Sequence, residues 1–248
     1  MVRIGNWSRA IIILFSLFFV VSVIACGGDS SSSKDSPKND DNSPTANNLN
    51  GIWTGTIGKA EDVDATLALY EGEIKGVDSE KKFYAGTYTS TDGHFSATIY
   101  YNSEDKMVIS GSASDQNKID ATYESTTGVT GDLTLIFNKD LYYRDSSTEL
   151  LSGEWSSDTS NYSIDTAGSI TGTFSNTCQF SGTFAIIDKK RNLYVLEADL
   201  TQCEYQGQYS GLAVLDDGDA QNDLLIAVLS TTNDQSIIRI IRMIEHRQ

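Results

Sequence analysis

The chain has 248 residues, with 34 acidic residues against 18 Lys and Arg, and its formal net charge at pH 7 is −16. Such an acidic chain excludes nucleic acid as a partner, because the phosphate backbone would be repelled, and anionic lipid headgroups are repelled in the same way. A zinc site is also a poor prediction, because Cys178, Cys203, His94 and His246 cannot readily supply the usual four ligands.

Residues 1–25 have the layout of an export signal. The segment begins with the basic residues Arg3 and Arg9, continues with a mostly apolar run at 11–24, and ends with the small residue Ala25. The run is shorter than the roughly 20 residues that span a bilayer, and no basic flank follows it. The sequence therefore predicts a cleaved signal peptide and not a transmembrane helix.

The four residues at the end of this segment, VIAC at 23–26, resemble the lipobox of bacterial lipoproteins. The resemblance implies that the Cys26 thiol carries a diacylglyceryl group, that cleavage occurs before it, and that the freed amine receives a fatty acyl chain such as palmitate. Two or more chains hold a protein stably in a bilayer. An Asp after the cysteine commonly retains such proteins at the inner membrane, and Gly27 stands there instead, which implies the outer membrane. The alternative is a plain secretory signal with a spare cysteine.

Residues 26–48 predict a disordered tether. They contain both prolines of the chain, four Ser in a row and four Asp, and almost no apolar residue. Such a composition cannot bury enough surface to fold. The segment is interpreted as a spacer between the lipid and the folded part.

From residue 49 onward the sequence predicts an all-β, antiparallel fold. Short runs rich in Thr, Tyr, Ile and Val alternate with Gly, Asn and Asp, no proline occurs, and helical periodicity is absent. Turns are predicted at 92–93 and at 115–117. Strands are predicted at 65–70, 83–89, 95–101, 107–112, 119–124 and 133–137.

An internal repeat divides this region into two units. The sequence LNGIW at 49–53 recurs as LSGEW at 151–155. The prediction is one unit at 49–149 and a second at 150–248. Four later matches suggest extra residues early in the first unit: GTY at 86–88 with GTF at 172–174, FSAT at 95–98 with FSGT at 180–183, ATY at 121–123 with GQY at 207–209, and DL at 132–133 with DL at 223–224.

A strand-rich unit that opens with Gly-x-Trp resembles the lipocalin and calycin barrels. The resemblance implies two small up-and-down barrels in tandem, with Trp53 and Trp155 packed across the barrel floors against late basic residues. A cation over an indole contributes about 0.5 to 2 kcal/mol. The candidate partners are Arg144 for the first unit and Arg239 and Arg242 for the second. Two alternatives stay open: ordinary core tryptophans with edge-strand arginines, and one two-sheet sandwich shared by both repeats.

With Cys26 assigned to the lipid, Cys178 and Cys203 remain, both in the second unit. Export would place them in an oxidising compartment, so a disulfide between them is predicted, worth about 2 to 4 kcal/mol.

Two charged clusters are predicted to be hairpin loops. The sequence DDGDAQND at 216–223 begins with the rhythm of a calcium loop but has Asn222 where Gly is required and Val228 where a bidentate Glu belongs. The basic cluster at 189–191 is interpreted as a solvated hairpin tip. Neither a metal nor a cofactor is predicted.

Three functional classes remain for this chain. The favoured one is a non-catalytic structural or interaction lipoprotein, anchored in the membrane and presenting its barrels to an envelope protein or glycan. The second is a binder of a small apolar ligand or lipid. An envelope hydrolase is third, because no catalytic motif is present. Bulky residues at alternate positions of 119–123 and 133–137 favour filled barrels and the first class. A ligand cavity would be lined by Tyr84, Tyr88, Tyr100 and Tyr101.

Overall fold

The computed structural model describes residues 48–58, 63–102, 104–233 and 236–248; the predicted signal peptide, Cys26 and the tether up to residue 47 lie outside them. The described chain is all-β, as predicted, and forms two closed antiparallel barrels of eight strands in tandem. Each strand pairs with its neighbours in sequence, which is the up-and-down arrangement. The alternative of one shared sandwich is wrong, because each sheet closes on itself. Both barrels belong to one compact unit.

The strands follow one another through short turns. The first barrel consists of β1 (Gly51–Gly58), β2 (Val63–Tyr70), β3 (Glu73–Asp78), β4 (Phe83–Thr91), β5 (His94–Tyr100), β6 (Lys106–Ser114), β7 (Lys118–Ser125) and β8 (Thr130–Phe137). The second consists of β9 (Gly153–Ser156), β10 (Asn161–Ile164), β11 (Ser169–Phe174), β12 (Cys178–Ile186), β13 (Tyr194–Thr201), β14 (Gly207–Asp216), β15 (Leu224–Asn233) and β16 (Ser236–Arg247).

The six predicted strands correspond to β2 and to β4 through β8, and both predicted turns are hairpin turns. Asp92 and Gly93 have φ values of 52° and 79°, the left-handed geometry that matches the twist of a two-residue hairpin. The strand β3 was not predicted from the sequence, because Lys75 and Gly76 interrupt its alternation.

The repeat prediction is right at the tryptophans and wrong downstream. Trp53 and Trp155 lie on the first strand of each barrel, but GTY at 86–88 lies on the fourth strand of its barrel and GTF at 172–174 on the third. The other three matches are also displaced by one strand. The reason is physical: every strand of a small barrel alternates small and bulky inward residues, so short matches recur between strands that do not correspond.

The inward side chains fill both barrels. Leu67, Ile99 and Leu135 in the first barrel and Leu196 and Leu229 in the second are all buried. Glycine is required where strands approach closely: a Cβ at Gly55 would lie 1.9 Å from the carbonyl oxygen of Thr134 on β8.

The two barrels pack through outward-facing side chains. Ile52 and Ala68 point away from the first barrel, yet they are buried, and Leu212 and Val214 of β14 belong to the same hydrophobic cluster. Lys75, on the outer face of β3, is 4% exposed at this contact. Its amine donates a hydrogen bond of 2.7 Å to Ser230 Oγ on β15 and lies 3.6 Å from Glu73 Oε2.

The linker between the barrels contains two one-turn helices, α1 (Lys139–Tyr142) and α2 (Thr148–Leu151). The sequence did not predict them, because it shows no helical periodicity. Their first turns are capped by the side chains of Asn138 and Ser147, which accept hydrogen bonds from the backbone N–H groups of Leu141 and Leu150. A single turn is too short to leave a periodic signal.

The second barrel holds this linker through its loops. The guanidinium of Arg191 lies 4.4 Å from the ring centroid of Tyr143, and Lys190 forms an ion pair of 2.8 Å with Asp145. The hairpin tip at 189–191 is therefore a contact with the linker and is not simply solvated.

Candidate functional site

The floor of each barrel is built on its tryptophan. The indole N–H of Trp53 donates to the carbonyl oxygen of Leu49 at 2.9 Å, and that of Trp155 donates to Leu151 at 2.7 Å, so the two repeats share this arrangement. Both side chains are buried.

The partner of Trp155 is a cation, as the resemblance implied, but it is Arg247. Its guanidinium carbon lies 4.4 Å from the indole centroid, and the guanidinium also donates to the carbonyl oxygens of Leu150 and Ser152. In the first barrel Phe137 takes the corresponding register position beside Trp53, with an edge-on contact of 5.5 Å between ring centroids.

The three predicted floor arginines lie elsewhere, so these pairings are wrong. Arg144 pairs through both guanidinium nitrogens with Asp217 of the second barrel at 2.7 and 3.0 Å. Arg242 points outward from β16 and lies over the ring of Phe83 at 4.8 Å. Arg144 follows α1 on the linker, which carries it away from Trp53.

Arg239 points inward, but at the opposite end of the barrel from Trp155. It donates to the carbonyl oxygen of Glu204 and lies 5.9 Å from the ring centroid of Tyr205, in the loop after β13. Since Arg239 and Arg247 are eight residues apart on one face of a strand, they close opposite ends of the second barrel.

The predicted disulfide is confirmed between Cys178 and Cys203, with a Cα–Cα distance of 5.1 Å. It joins the first residue of β12 to the loop that follows β13. The acidic segment at 216–223 is a hairpin loop, as predicted, between β14 and β15. Backbone bonding by Asn222 and the guanidinium of Arg144 hold the pKa of Asp217 below its usual range. Within the described residues no group of three or more potential metal ligands occurs.

The tyrosines considered as a cavity lining have other partners. The hydroxyl of Tyr84 donates to Asp78 Oδ2 at 2.6 Å, and Tyr88 stacks on Phe95 with ring centroids 6.1 Å apart. Tyr100 lies under the amine of Lys106, and Tyr101 packs against the core of the first barrel.

The second barrel is closed much less completely than the first. Strands β1 and β8 pair over Trp53–Gly58, whereas β9 and β16 pair only at Ser156 with His246 and at Trp155 with Arg247. The difference follows from length, because β9 has 4 residues and β16 has 12. On the N-terminal side of His246, one edge of β16 is not covered by any strand of the described chain. We call this edge and the gap beside it the seam.

A cleft of about 610 Å³ lies along the seam. It is bounded by the loops that follow β9 and β11, by β16, and by Lys81 of the first barrel. Its lining is Lys81, Ser157, Asp158, Thr159, Ser160, Phe174, Ser175, Arg242, Ile244, Glu245 and His246.

Glu245 is the unusual member of this lining. It is only 2% exposed, and its Oε2 has no hydrogen-bond partner in the described structure. Burial raises the pKa of Glu245 to about 7, opposed by a hydrogen bond from Ser157 and by the charge of Arg242. The hydroxyl of Tyr162 is also buried without a hydrogen-bond partner, and burial raises the pKa of Tyr162, as does the nearby charge of Glu245. The cleft thus contains a carboxyl group that can accept a further hydrogen bond.

Sequence reasoning missed both Arg247 and Glu245. The sequence signal for both is the alternation of β16, which places them on the same inward face as Ile241 and Met243. The short β9 was also signalled, because the polar run SSDTSN at 156–161 follows Trp155 directly.

None of the helices among the described residues is long and apolar enough to cross a membrane. The geometry defines a tandem of filled eight-stranded barrels with one incompletely closed wall. No protein-family model, no curated protein and no solved structure matches this chain.

Proposed function

We propose that this protein is a lipid-anchored lipoprotein of the bacterial outer membrane that catalyses no reaction and binds an envelope partner through the outside of its barrels. The observation that carries the proposal is the packing of the barrel interiors. The interior of each barrel is occupied by buried side chains above a tryptophan floor, and the clefts open to the outside, one of them at the seam. A partner would therefore bind to the outer surface of the barrels.

The anchor part of the proposal is supported by the sequence at 23–26 and by charge. The acidic body would be repelled from anionic headgroups, so the lipid on Cys26 would carry the whole attachment. We expect Cys26→Ser to move the protein from the membrane fraction to the soluble fraction, with Ser22→Ala as a matched control that stays membrane-bound. An unmodified Cys26 in the membrane-extracted N-terminal peptide would end the lipoprotein interpretation.

The membrane assignment can be tested separately. Gly27→Asp would create the residue pair that commonly retains lipoproteins at the inner membrane. We expect this variant to shift to the inner-membrane fraction on a density gradient. Wild-type protein in the inner-membrane fraction would contradict the proposed address and leave the lipid anchor intact.

The competing function, binding of a small apolar ligand inside a barrel, predicts a different mass. Native mass spectrometry of the protein purified from its own host should give the chain plus its lipid and nothing more. A stoichiometric small molecule that survives gentle ionisation would contradict the proposed binding mode.

A further inference from the structure

The free edge of β16 presents backbone groups at regular intervals. The N–H of Arg247 donates to Asp223 beside β15, and the N–H of Gln248 donates to Glu154 of β9. Because backbone groups alternate between the two sides of a strand, the N–H and C=O groups of Ile240, Arg242 and Ile244 face the seam. They are spaced about 6.7 Å apart, which is the period of a β-ladder.

The described chain supplies these groups with no partner strand. The ladder between β9 and β16 ends at Ser156, where the chain turns into the loop before β10. A strand added beside Ile240, Arg242 and Ile244 would extend that ladder along the same edge. Exposed edges of this kind template pairing with another chain.

The cleft beside the edge has room for such a strand. Its volume of about 610 Å³ lies within the range of ordinary binding pockets. Its walls are mainly hydroxyl-bearing loops, with Phe174 and Ile244 as apolar contacts. An extended peptide would fit both the strand edge and the cleft, because its backbone could pair with β16 while its side chains contact the cleft walls.

Glu245 indicates the charge of the occupant. A buried carboxyl group with an unpartnered oxygen disfavours folding, and sequences keep such groups mainly where they serve function. Arg242, which acts on its charge, is stacked over Phe83 on the outer face, and Lys81 and Asp158 are further charged residues of the cleft lining. A Lys or Arg side chain of the occupant would supply the missing donor, and a chain of net charge −16 attracts a basic partner at long range.

We propose that the seam of the second barrel binds an extended, basic segment of a partner protein, which adds as a strand to β16 and places a Lys or Arg side chain beside Glu245. The proposal deepens the proposed function and rests on its claim of recognition by the outer surface. A second copy of the chain is a less suitable occupant, because two bodies of charge −16 repel each other.

Residue-resolved amide hydrogen exchange, measured by NMR on the detergent-solubilised protein, tests the edge directly. The amides of Arg242 and Ile244 should exchange fast, and those of Ile241 and Met243, which face β15, should be protected. The probes are synthetic heptapeptides selected from a random display library. We expect selected peptides to alternate β-branched residues, to contain Lys or Arg, and to protect Arg242 and Ile244 on binding.

Three variants separate the contribution of the strand edge from that of the Glu245 charge. Ile244→Pro removes one seam-facing N–H and should weaken peptide binding about tenfold, whereas the matched Ile244→Ala keeps that N–H and should bind within about threefold of wild type. Glu245→Gln keeps the shape and removes the charge, and should weaken binding of the basic peptides about tenfold. Protection of Ile241 and Met243 in each variant shows that the β15–β16 ladder is intact.

Several results would overturn the proposal: protection of Arg242 and Ile244 without peptide, selected peptides that protect other residues, no selected peptide at all, or a dimer paired through β16. In each of these cases native mass spectrometry could still show a protein without a bound small molecule, and the proposed function would stand. A small molecule found inside a barrel would remove the proposed function itself.

Discussion

Arg247 lies over the indole of Trp155, 4.4 Å from guanidinium carbon to ring centroid, and thereby joins the last strand of the second barrel to its first. The same guanidinium binds the carbonyl oxygens of Leu150 and Ser152, just before β9. Since β9 and β16 share only two residue pairs, this side chain accounts for much of the closure of the barrel.

We expect Arg247→Gln to lower the unfolding free energy of the second barrel by about 2 to 4 kcal/mol, through loss of the cation–π contact and of charged hydrogen bonds to partly buried carbonyls. Urea denaturation followed by Trp155 fluorescence in a Trp53→Phe background would measure it. The matched control is Arg144→Gln, which breaks a partly exposed ion pair with Asp217 and should cost less than about 1 kcal/mol. Equal effects of the two variants would contradict a special role for Arg247.

Lys75 leads to a second prediction, because its amine is buried between the barrels and burial lowers its pKa. Replacing a buried charge by an apolar side chain of similar length is often neutral or stabilising, whereas removing one partner is costly. We expect Lys75→Met to leave stability within about 1 kcal/mol of wild type or to raise it. Ser230→Ala, which leaves the amine without its 2.7 Å acceptor, should cost about 1 to 3 kcal/mol. Thermal unfolding of both variants measures these stabilities. A larger loss of stability for Lys75→Met than for Ser230→Ala would contradict this account.

The strands and the disulfide could be predicted from the sequence because their signals are local. Alternation over 119–124 and 133–137 and the pairing of the two remaining cysteines each depend on a few residues. The floor arginine could not be selected in the same way, because β16 has three arginines within nine positions, 239–247. Only the direction of each side chain distinguishes them: Arg239 and Arg247 point inward at opposite ends, and Arg242 points outward.

The seam was harder to predict, because it depends on a difference between two strands that are far apart in sequence. The turn residues after Trp155 indicate a short β9, and the apolar run of β16 indicates a long last strand. That these two strands are neighbours follows only from closure of the barrel. The burial of Glu245 beside them is a tertiary property that local sequence does not encode.

The disulfide gives a third prediction. It closes a loop between residues 25 apart, and such cross-links typically contribute about 2 to 4 kcal/mol. Replacing both Cys178 and Cys203 by Ala should lower the urea midpoint reported by Trp155. In the variant that keeps only Trp53, the midpoint of the first barrel should move less, because the cross-link lies wholly in the second. Identical shifts from both reporters would show that the barrels unfold as one cooperative unit.

The fourth prediction concerns pH. Glu245 is buried and hydrogen-bonded to Ser157, and burial raises its pKa in the fold to about 7 against an ordinary value of 4.5. Between these two values the folded protein binds more protons than the unfolded chain, so the contribution of Glu245 to stability falls as the pH rises from about 4.5 to about 7 and stays constant above. The difference amounts to about 3 kcal/mol.

Glu245→Gln should therefore be more stable than wild type at pH 8, by up to about 3 kcal/mol, and equal to it near pH 4.5. Urea denaturation at several pH values, with Trp155 as reporter, measures the two curves. Glu154→Gln, on the neighbouring β9, is a matched control, because Glu154 is exposed and its replacement should leave the two curves parallel. A Glu245→Gln curve parallel to wild type would mean that the carboxyl group is already satisfied in the folded protein.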